Sequence, residues 1–421
     1  MLKNKIMMMV LGVSLILAGC GSTDNHKGSQ KSDGATTTGN KPSSQQTSNS
    51  NAASTNTNGE SSQSSGKSSN SNNTNANSPT PPTENTPSQS TNVNMSMVTA
   101  VRLADFNTGW SGGSGWIAKT ASGGKKWTIV YQGSGTVQQI FALNHSDVWA
   151  TLNQGGNKSK LLHSNDGGKH WGFVGTTPNQ AFLHFTSKTT ALSGNYLTQD
   201  GGKTWNLLPM PKDTVGDVYY HDAKNGWAVT QSTNVLDVKR TNDGGHSWES
   251  VMSKSLFSPL SGSTIRSAGT SDAWIELIGG TGMNQTSYSV FHTTDGGKSW
   301  TTVIANSTAG GGPAPGFSQD YHNGPINKGS KPGPLYVVNS QIAFMGGACP
   351  ACEHPNSIGF TKDAGNTWVN SKMTLDGNGD AYLAISDANH GWWITSENEK
   401  QSVMYTTTDG GLHWNQVHVF H

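Results

Sequence analysis

Apolar and polar residues alternate in short runs through the second part of this 421-residue chain. Val218-Tyr219-Tyr220, Trp227-Ala228-Val229, Val235-Leu236-Asp237-Val238 and Trp248-Glu249-Ser250-Val251 form one consecutive set. Period-two runs broken by Gly, Asn and Asp predict short half-buried strands. Between the third and fourth runs stands Thr241 to Trp248, of the form [ST]-x-D-G-G-x-x-W, and the chain writes this stretch seven times. Clean copies run from Ser164 to Trp171, Thr198 to Trp205, Thr293 to Trp300 and Thr407 to Trp414. Thr361 to Trp368 has Ala364 for the first Gly, and Thr120 to Trp127 has Ser122 for the Asp. The composition suits a hairpin tip: Thr and Asp side chains bond to nearby N–H groups, the glycines take positive φ, and the aromatic starts the returning strand. Asp166, Asp200, Asp243, Asp295, Asp363 and Asp409 are therefore structural turn formers.

A second turn signal precedes the boxes, in full at Asp105–Trp110, Asp222–Trp227 and Asp387–Trp392 and shortened at Asp147–Trp149 and Asp272–Trp274. Two turn signals per repeat imply two hairpins, hence four strands a to d with the box between c and d. A spacing of about 40 to 50 residues is that of propeller blades. The expectation is an all-β, seven-bladed β-propeller of four-stranded blades over residues 96 to 421, each blade holding its own strands, with none lent from a terminus to close the ring.

The boxes resemble the Asp-box, or bacterial neuraminidase repeat, of sialidases, sortilin-type receptors and some xyloglucanases. The longer unit, D-x-x-x-G-W followed by T-x-D-G-G-x-x-W, is more similar to the photosystem II stability and assembly factor family. That resemblance implies a seven-bladed propeller and a role in assembling a membrane complex. Sialidases clasp their substrate with three arginines, the first in an F-R-I-P-like motif; Arg102, Arg240 and Arg266 match no such pattern.

Residues 1 to 20 carry Lys3 and Lys5, an apolar run from Ile6 to Leu17, and end Leu17-Ala18-Gly19-Cys20. This is a lipoprotein signal peptide, too short to span a bilayer comfortably, in which Cys20 becomes the lipidated residue. It predicts an exported chain anchored on the extracytoplasmic face of a bacterial cell membrane. Residues 21 to 95 are Ser, Thr, Asn, Gln, Gly or Pro at 60 of 75 positions and contain no aromatic, so they cannot offset their ordering entropy and read as a disordered tether. All 14 tryptophans fall later, which leaves one large folded domain. That domain has 21 basic and 22 acidic residues, a balance that argues against nucleic acid as partner.

Function is expected where the repeat breaks. A Gly/Pro-rich insertion covers residues 309 to 334, and Cys349-Pro350-Ala351-Cys352-Glu353-His354 interrupts strands b and c of the sixth repeat; Gly279 to Thr286 is a long loop beside them. In a propeller these connections emerge on one face, opposite the boxes. Asp320, Tyr321, His322, Glu353 and His354 are accordingly the candidate binding residues. For Cys349 and Cys352 three chemistries compete: a disulfide, a metal site completed by His354 and His322, and a redox dithiol. The i, i+3 spacing and the exported compartment favour the disulfide. No metal or cofactor is expected. The leading function is a non-catalytic binding or scaffold propeller whose partner is an unknown protein or cell-envelope component. The alternative is a glycan-binding or glycan-hydrolysing propeller, with Phe317, Tyr321 and one of Trp392 and Trp393 as stacking surfaces. A glycosidase would need two facing carboxylates, and no pair is identifiable among Asp213, Asp217, Asp237, Asp320, Asp376, Asp380, Glu249, Glu276, Glu353, Glu397 and Glu399.

Overall fold

A computed structural model describes residues 93 to 377, 379 to 397 and 400 to 421; the signal segment with Cys20 and nearly all of the tether lie outside them. The described residues form a β-propeller of six antiparallel sheets, not the seven blades expected. Five sheets have four strands. The third is representative: Tyr219–Tyr220, Gly226–Ser232, Val235–Thr241 and Glu249–Ser255 pair in sequence order, with the box joining the last two.

The first sheet has six strands and carries two boxes, Thr120–Trp127 and Ser164–Trp171. The cause lies in one 15-residue strand, Thr128–Ala142. Its first half pairs with Gly109–Thr120 and its second half with Val148–Asn153, and Thr136 faces both Ser114 and Asn153. The link that should separate two blades here is only Gly133-Ser134-Gly135, too short to interrupt the ladder. The double sheet still presents two inner strands, so seven inner segments surround one channel: Ala100–Leu103, residues 136 to 142, Leu183–Phe185, Tyr219–Tyr220, Gly262–Arg266, Lys331–Val337 and Ala381–Ile385.

Each box turn closes on itself and then on its neighbour. In the third sheet the Thr241 hydroxyl donates to Asp243 Oδ1 (2.7 Å) and accepts the Gly245 N–H (2.9 Å), while Asp243 Oδ1 also accepts the Ser247 N–H (3.0 Å). The same hydroxyl-to-second-glycine bond recurs in the other clean copies and at Thr361. In the first box it is longer, 3.3 Å, and the Ser122 hydroxyl replaces the carboxylate as acceptor for the Lys126 N–H. The turn also bonds back to the a-to-b turn of its own repeat, as in Gly244 N–H to the Lys224 carbonyl (2.9 Å), so both turn types share one face.

The second glycine sits at positive φ and against the preceding unit. A Cβ on Gly202 would strike Leu161, on Gly297 Val251, on Gly365 Val303 and on Gly411 Phe344 and Phe360. The carbonyl at the first glycine position of the box is latched from the preceding unit as well. Lys119 donates to the Gly167 carbonyl (2.8 Å), Arg240 to the Gly296 carbonyl (3.4 Å), and His292 Nδ1 contacts the Ala364 carbonyl (2.9 Å). Ala364, where the other boxes have Gly, keeps the turn with φ of 61°.

The ring closes between the last sheet and the first. Gly124 faces Met404 and Val417, Trp392 Nε1 donates to the Phe106 carbonyl (3.1 Å), and Trp127 meets Trp392 edge to face at 5.7 Å. Residues ahead of the first strand take part: Met95 N–H bonds to the His421 carbonyl and Ser402 N–H to the Ser96 carbonyl, both at 2.7 Å. The last sheet keeps its own four strands, and the N-terminal segment bonds to Ser402 of its third strand and to His421 beyond its fourth.

Two substitutions test this account of the boxes. Thr241→Val removes a buried hydroxyl and leaves the Gly245 N–H unsatisfied, so denaturant unfolding should show a loss of about 2 kcal/mol. Ser122→Asp should supply the missing carboxylate and raise stability by about 0.5 kcal/mol, a typical gain for an improved turn; a clear loss at this position would contradict the turn geometry.

Candidate functional site

The channel is the principal cavity, and the register of the inner hairpins determines what lines it. Arg102 stands opposite Trp110, Phe141 opposite Trp149, His184 opposite Leu192, Tyr219 opposite Trp227, Arg266 opposite Trp274 and Tyr336 opposite Phe344. These are equivalent positions of successive repeats, and all six line the box-side half of the channel, a space of about 460 Å³. Toward the loop side the channel widens to about 800 Å³ and takes in Gln138, Gln139, Asp217, Asp380 and Tyr382.

Neighbouring residues of this belt touch. The Arg102 guanidinium lies over the Phe141 ring at 4.7 Å, the His184 and Tyr219 rings stack at 5.1 Å, and the Tyr219 hydroxyl donates to the Ser267 carbonyl (3.2 Å). Arg266 lies over the Phe182 ring at 4.0 Å. Burial pushes the His184 imidazole down to about 4, and the charges of Arg266 and Arg102 act in the same direction. Its Nδ1 is buried without a partner. A neutral imidazole flanked by two cations is thus fixed in the wall.

Glu276 lies one strand outward, opposite Thr264, and is 3% exposed. Burial raises its carboxyl to about 7; a hydrogen bond from Thr264 and the charge of Arg266 oppose that shift without cancelling it. Burial lowers the Arg266 guanidinium, outweighing the attraction of Tyr219, Glu276 and Asp217. Protein surrounds the guanidinium, but the side chain is only partly buried and touches the lumen, so it keeps its charge.

The residues expected to bind lie on loops that do converge. Gly310 N–H bonds to Gln285 Oε1, Ser287 donates to the Gly311 carbonyl, and Ser330 joins Asn284 to Ala348, the residue before Cys349. The five side chains nonetheless divide into two groups. Tyr321 stacks on Phe317 at 4.3 Å, which stacks on Phe291 at 5.6 Å, placing Asp320 and His322 on the flank of the fourth sheet. His354 instead pairs with Asp376 at 2.5 Å, a contact that raises its imidazole above the usual value. Asp320, His322, Glu353 and His354 are exposed and Tyr321 is half-buried. Cys349 and Cys352 form a disulfide with Cα atoms 5.3 Å apart, so neither is a free thiolate ligand. Trp392 and Trp393 are both fully buried, packed on Trp127 and Trp414, which removes them as stacking surfaces for a glycan.

Arg102 and Arg266 were not singled out by motif, because they are far apart in sequence and match no known arginine pattern. Their common register opposite the hairpin tryptophan is the signal that relates them.

No protein-family model matches the sequence, and no curated protein matches it. Among solved structures the chain is similar to YCF48 from Cyanidioschyzon merolae, at 14% identity over 75% of this chain and 96% of that one, TM-score 0.47. It is similar to YCF48 bound to D1 peptide at 13% identity, over 75% and 94% of the two chains, TM-score 0.46. It is also similar to the GH74 enzyme of Niastella koreensis at 13% identity, over 78% and 73%, TM-score 0.31. At such identities and scores, none of them assigns a role to a residue here.

The Glu276 environment generates a pH prediction. Its folded value lies above the unfolded one, so its contribution to stability is fully present below about pH 4.5 and lost as pH rises through 7, where the folded state still holds a proton that the unfolded state has released. Glu276→Gln escapes this loss. Its stability relative to the native protein should grow from near zero at pH 4.5 to roughly 2 to 3 kcal/mol above pH 7. A difference independent of pH in denaturant titrations would show that the carboxyl ionises normally.

Proposed function

We propose that this chain is a non-catalytic binding propeller, held by a lipid on Cys20 at the outer side of a bacterial cell membrane, that assists the assembly or stability of an envelope complex. The observation that carries the binding reading is the channel belt: equivalent positions of successive repeats converge two arginines and four rings on one cavity. A rigid scaffold with an aromatic, polar-tipped cavity of this size is a common arrangement for holding a ligand. The channel acids Asp217 and Asp380 are exposed and lie at the loop-side mouth, while Glu276 sits behind the wall. A hydrolytic pair would have to face one bond inside the cavity. The exported location rests on the signal and tether of the sequence, and the role in assembly on the resemblance of its repeat.

The exposed loop surface around Asp320, His322, Glu353 and His354 is a second reading. It is favoured by the bonds that knit the three irregular loops together and by the disulfide that pins one of them.

One comparison tests both readings. The full lipidated chain is cross-linked on membranes of its own cell, beside a channel-obstructed variant, Asp217→Trp with Asp380→Trp, and a variant lacking residues 309 to 334. The channel reading predicts a defined envelope component cross-linked to the native chain and to the deletion, but lost from the obstructed variant. Loss from the deletion alone would transfer the site to the loops. Turnover of glycosides by the purified native chain would sink the non-catalytic reading.

A further inference from the structure

Two guanidinium groups stand in the box-side half of the channel without a carboxylate in ion-pair contact. The Arg102 Nε is buried and has no hydrogen-bond partner, and the group rests on Phe141. Arg266 donates to the adjacent Ile265 carbonyl (2.8 Å) and rests on Phe182. Phe182 leads into the second sheet and Arg266 belongs to the fourth, with the third between them, so this contact reaches across the lumen. Both arginines line the same half of the channel, at equivalent register positions of their hairpins. Among the described residues, no ion pair involves either one.

The walls of this half contain no Asp or Glu. Beside polar groups such as Asn144, His221 and Ser267, they carry an apolar and aromatic set, Phe141, Phe182, Tyr336, Val337 and Ile385. Aromatic faces compensate a cation only in part, and a donor buried without an acceptor costs free energy that an anionic ligand would recover. The fork of a guanidinium matches a carboxylate in plane and spacing. A more highly charged anion fits less well, because Asp217 and Asp380 add negative charge at the far mouth of the same channel.

We propose that the box-side half of the channel binds a carboxylate carried on an apolar or aromatic body, with Arg102 and Arg266 as its two anchors. The proposal rests on the reading of the channel as the ligand site and names the class of ligand. The carboxylate accepts from both guanidinium groups, and its apolar body occupies the space between Phe182, Tyr336 and Ile385. The source is either a free organic acid or the C-terminal end of a peptide, since both present the same group.

The test uses the full chain and four probes: 3-phenylpropanoate, its amide, an acetylated peptide ending in a free Phe carboxylate, and inorganic phosphate. Binding is followed by ligand-observed NMR and calorimetry. The acid or the peptide should bind at least tenfold more tightly than the amide, and whichever of the two binds more tightly identifies the source. Arg102→Gln and Arg266→Gln should each weaken that binding about tenfold. Arg102→Gln is the safer variant, because no hydrogen bond is lost with its side chain, and thermal unfolding verifies that each variant is folded. Equal affinity for acid and amide, unchanged binding in a folded Arg102→Gln protein, or phosphate binding as tightly as the acid would each overturn the proposal. None of these outcomes touches the membrane cross-link, so the ligand class can fail while the binding function stands.

Discussion

Adjacent units of the ring approach one another through a backbone position that has no side chain. In four of the boxes the second glycine stands where an added Cβ would meet a side chain of the preceding unit, Leu161, Val251, Val303 or Phe344. Positive φ and this close approach both demand glycine, so the residue is specified twice over. The Thr hydroxyl of the box holds that glycine by its N–H, which makes a local hydrogen bond the means by which a large hydrophobic interface is positioned. The latches from Arg240 and His292 to box carbonyls then join sheets that the strand ladders leave separate, and Lys119 ties the two halves of the six-stranded sheet in the same way.

The same repetition creates the channel. A position that points from one inner strand toward the next recurs around the ring, and its chemistry varies where the turn chemistry does not: Arg, Phe, His, Tyr, Arg, Tyr. Scaffold positions are repeated because every turn meets the same steric demand. Channel positions are free to differ because they face a lumen rather than a neighbouring core. This division separates residues that hold the ring from residues that present chemistry.

The elements most legible in the sequence were those whose geometry is local. A hydroxyl four residues before a glycine and an aspartate two residues after the hydroxyl determine a turn whatever surrounds it, so strands and boxes stood where the pattern put them. The number of separate sheets was not legible, because it depends on whether a ladder survives the three-residue link Gly133 to Gly135, which is a tertiary matter. The convergence of the irregular loops followed from propeller connectivity. Their side chains did not follow, since Tyr321 found the Phe317 ring and His354 found Asp376, pairings between segments that no spacing relates. Arg102 and Arg266 looked scattered because their proximity is set by register around a ring.

The seam between Met95–Ser96 and the last sheet also orders events in time. Its contacts join residues separated by 304 positions, from Val98 to Ser402, and by 286, from Phe106 to Trp392. Loop-closure entropy must be met before such contacts form, so they arise late. Until that seam forms the ring is an open arc, with Trp116 and Trp127 lacking the cover that Phe420 gives them. The Phe420 segment is thus a clasp whose engagement separates a closed ring from an open precursor with exposed aromatic surface.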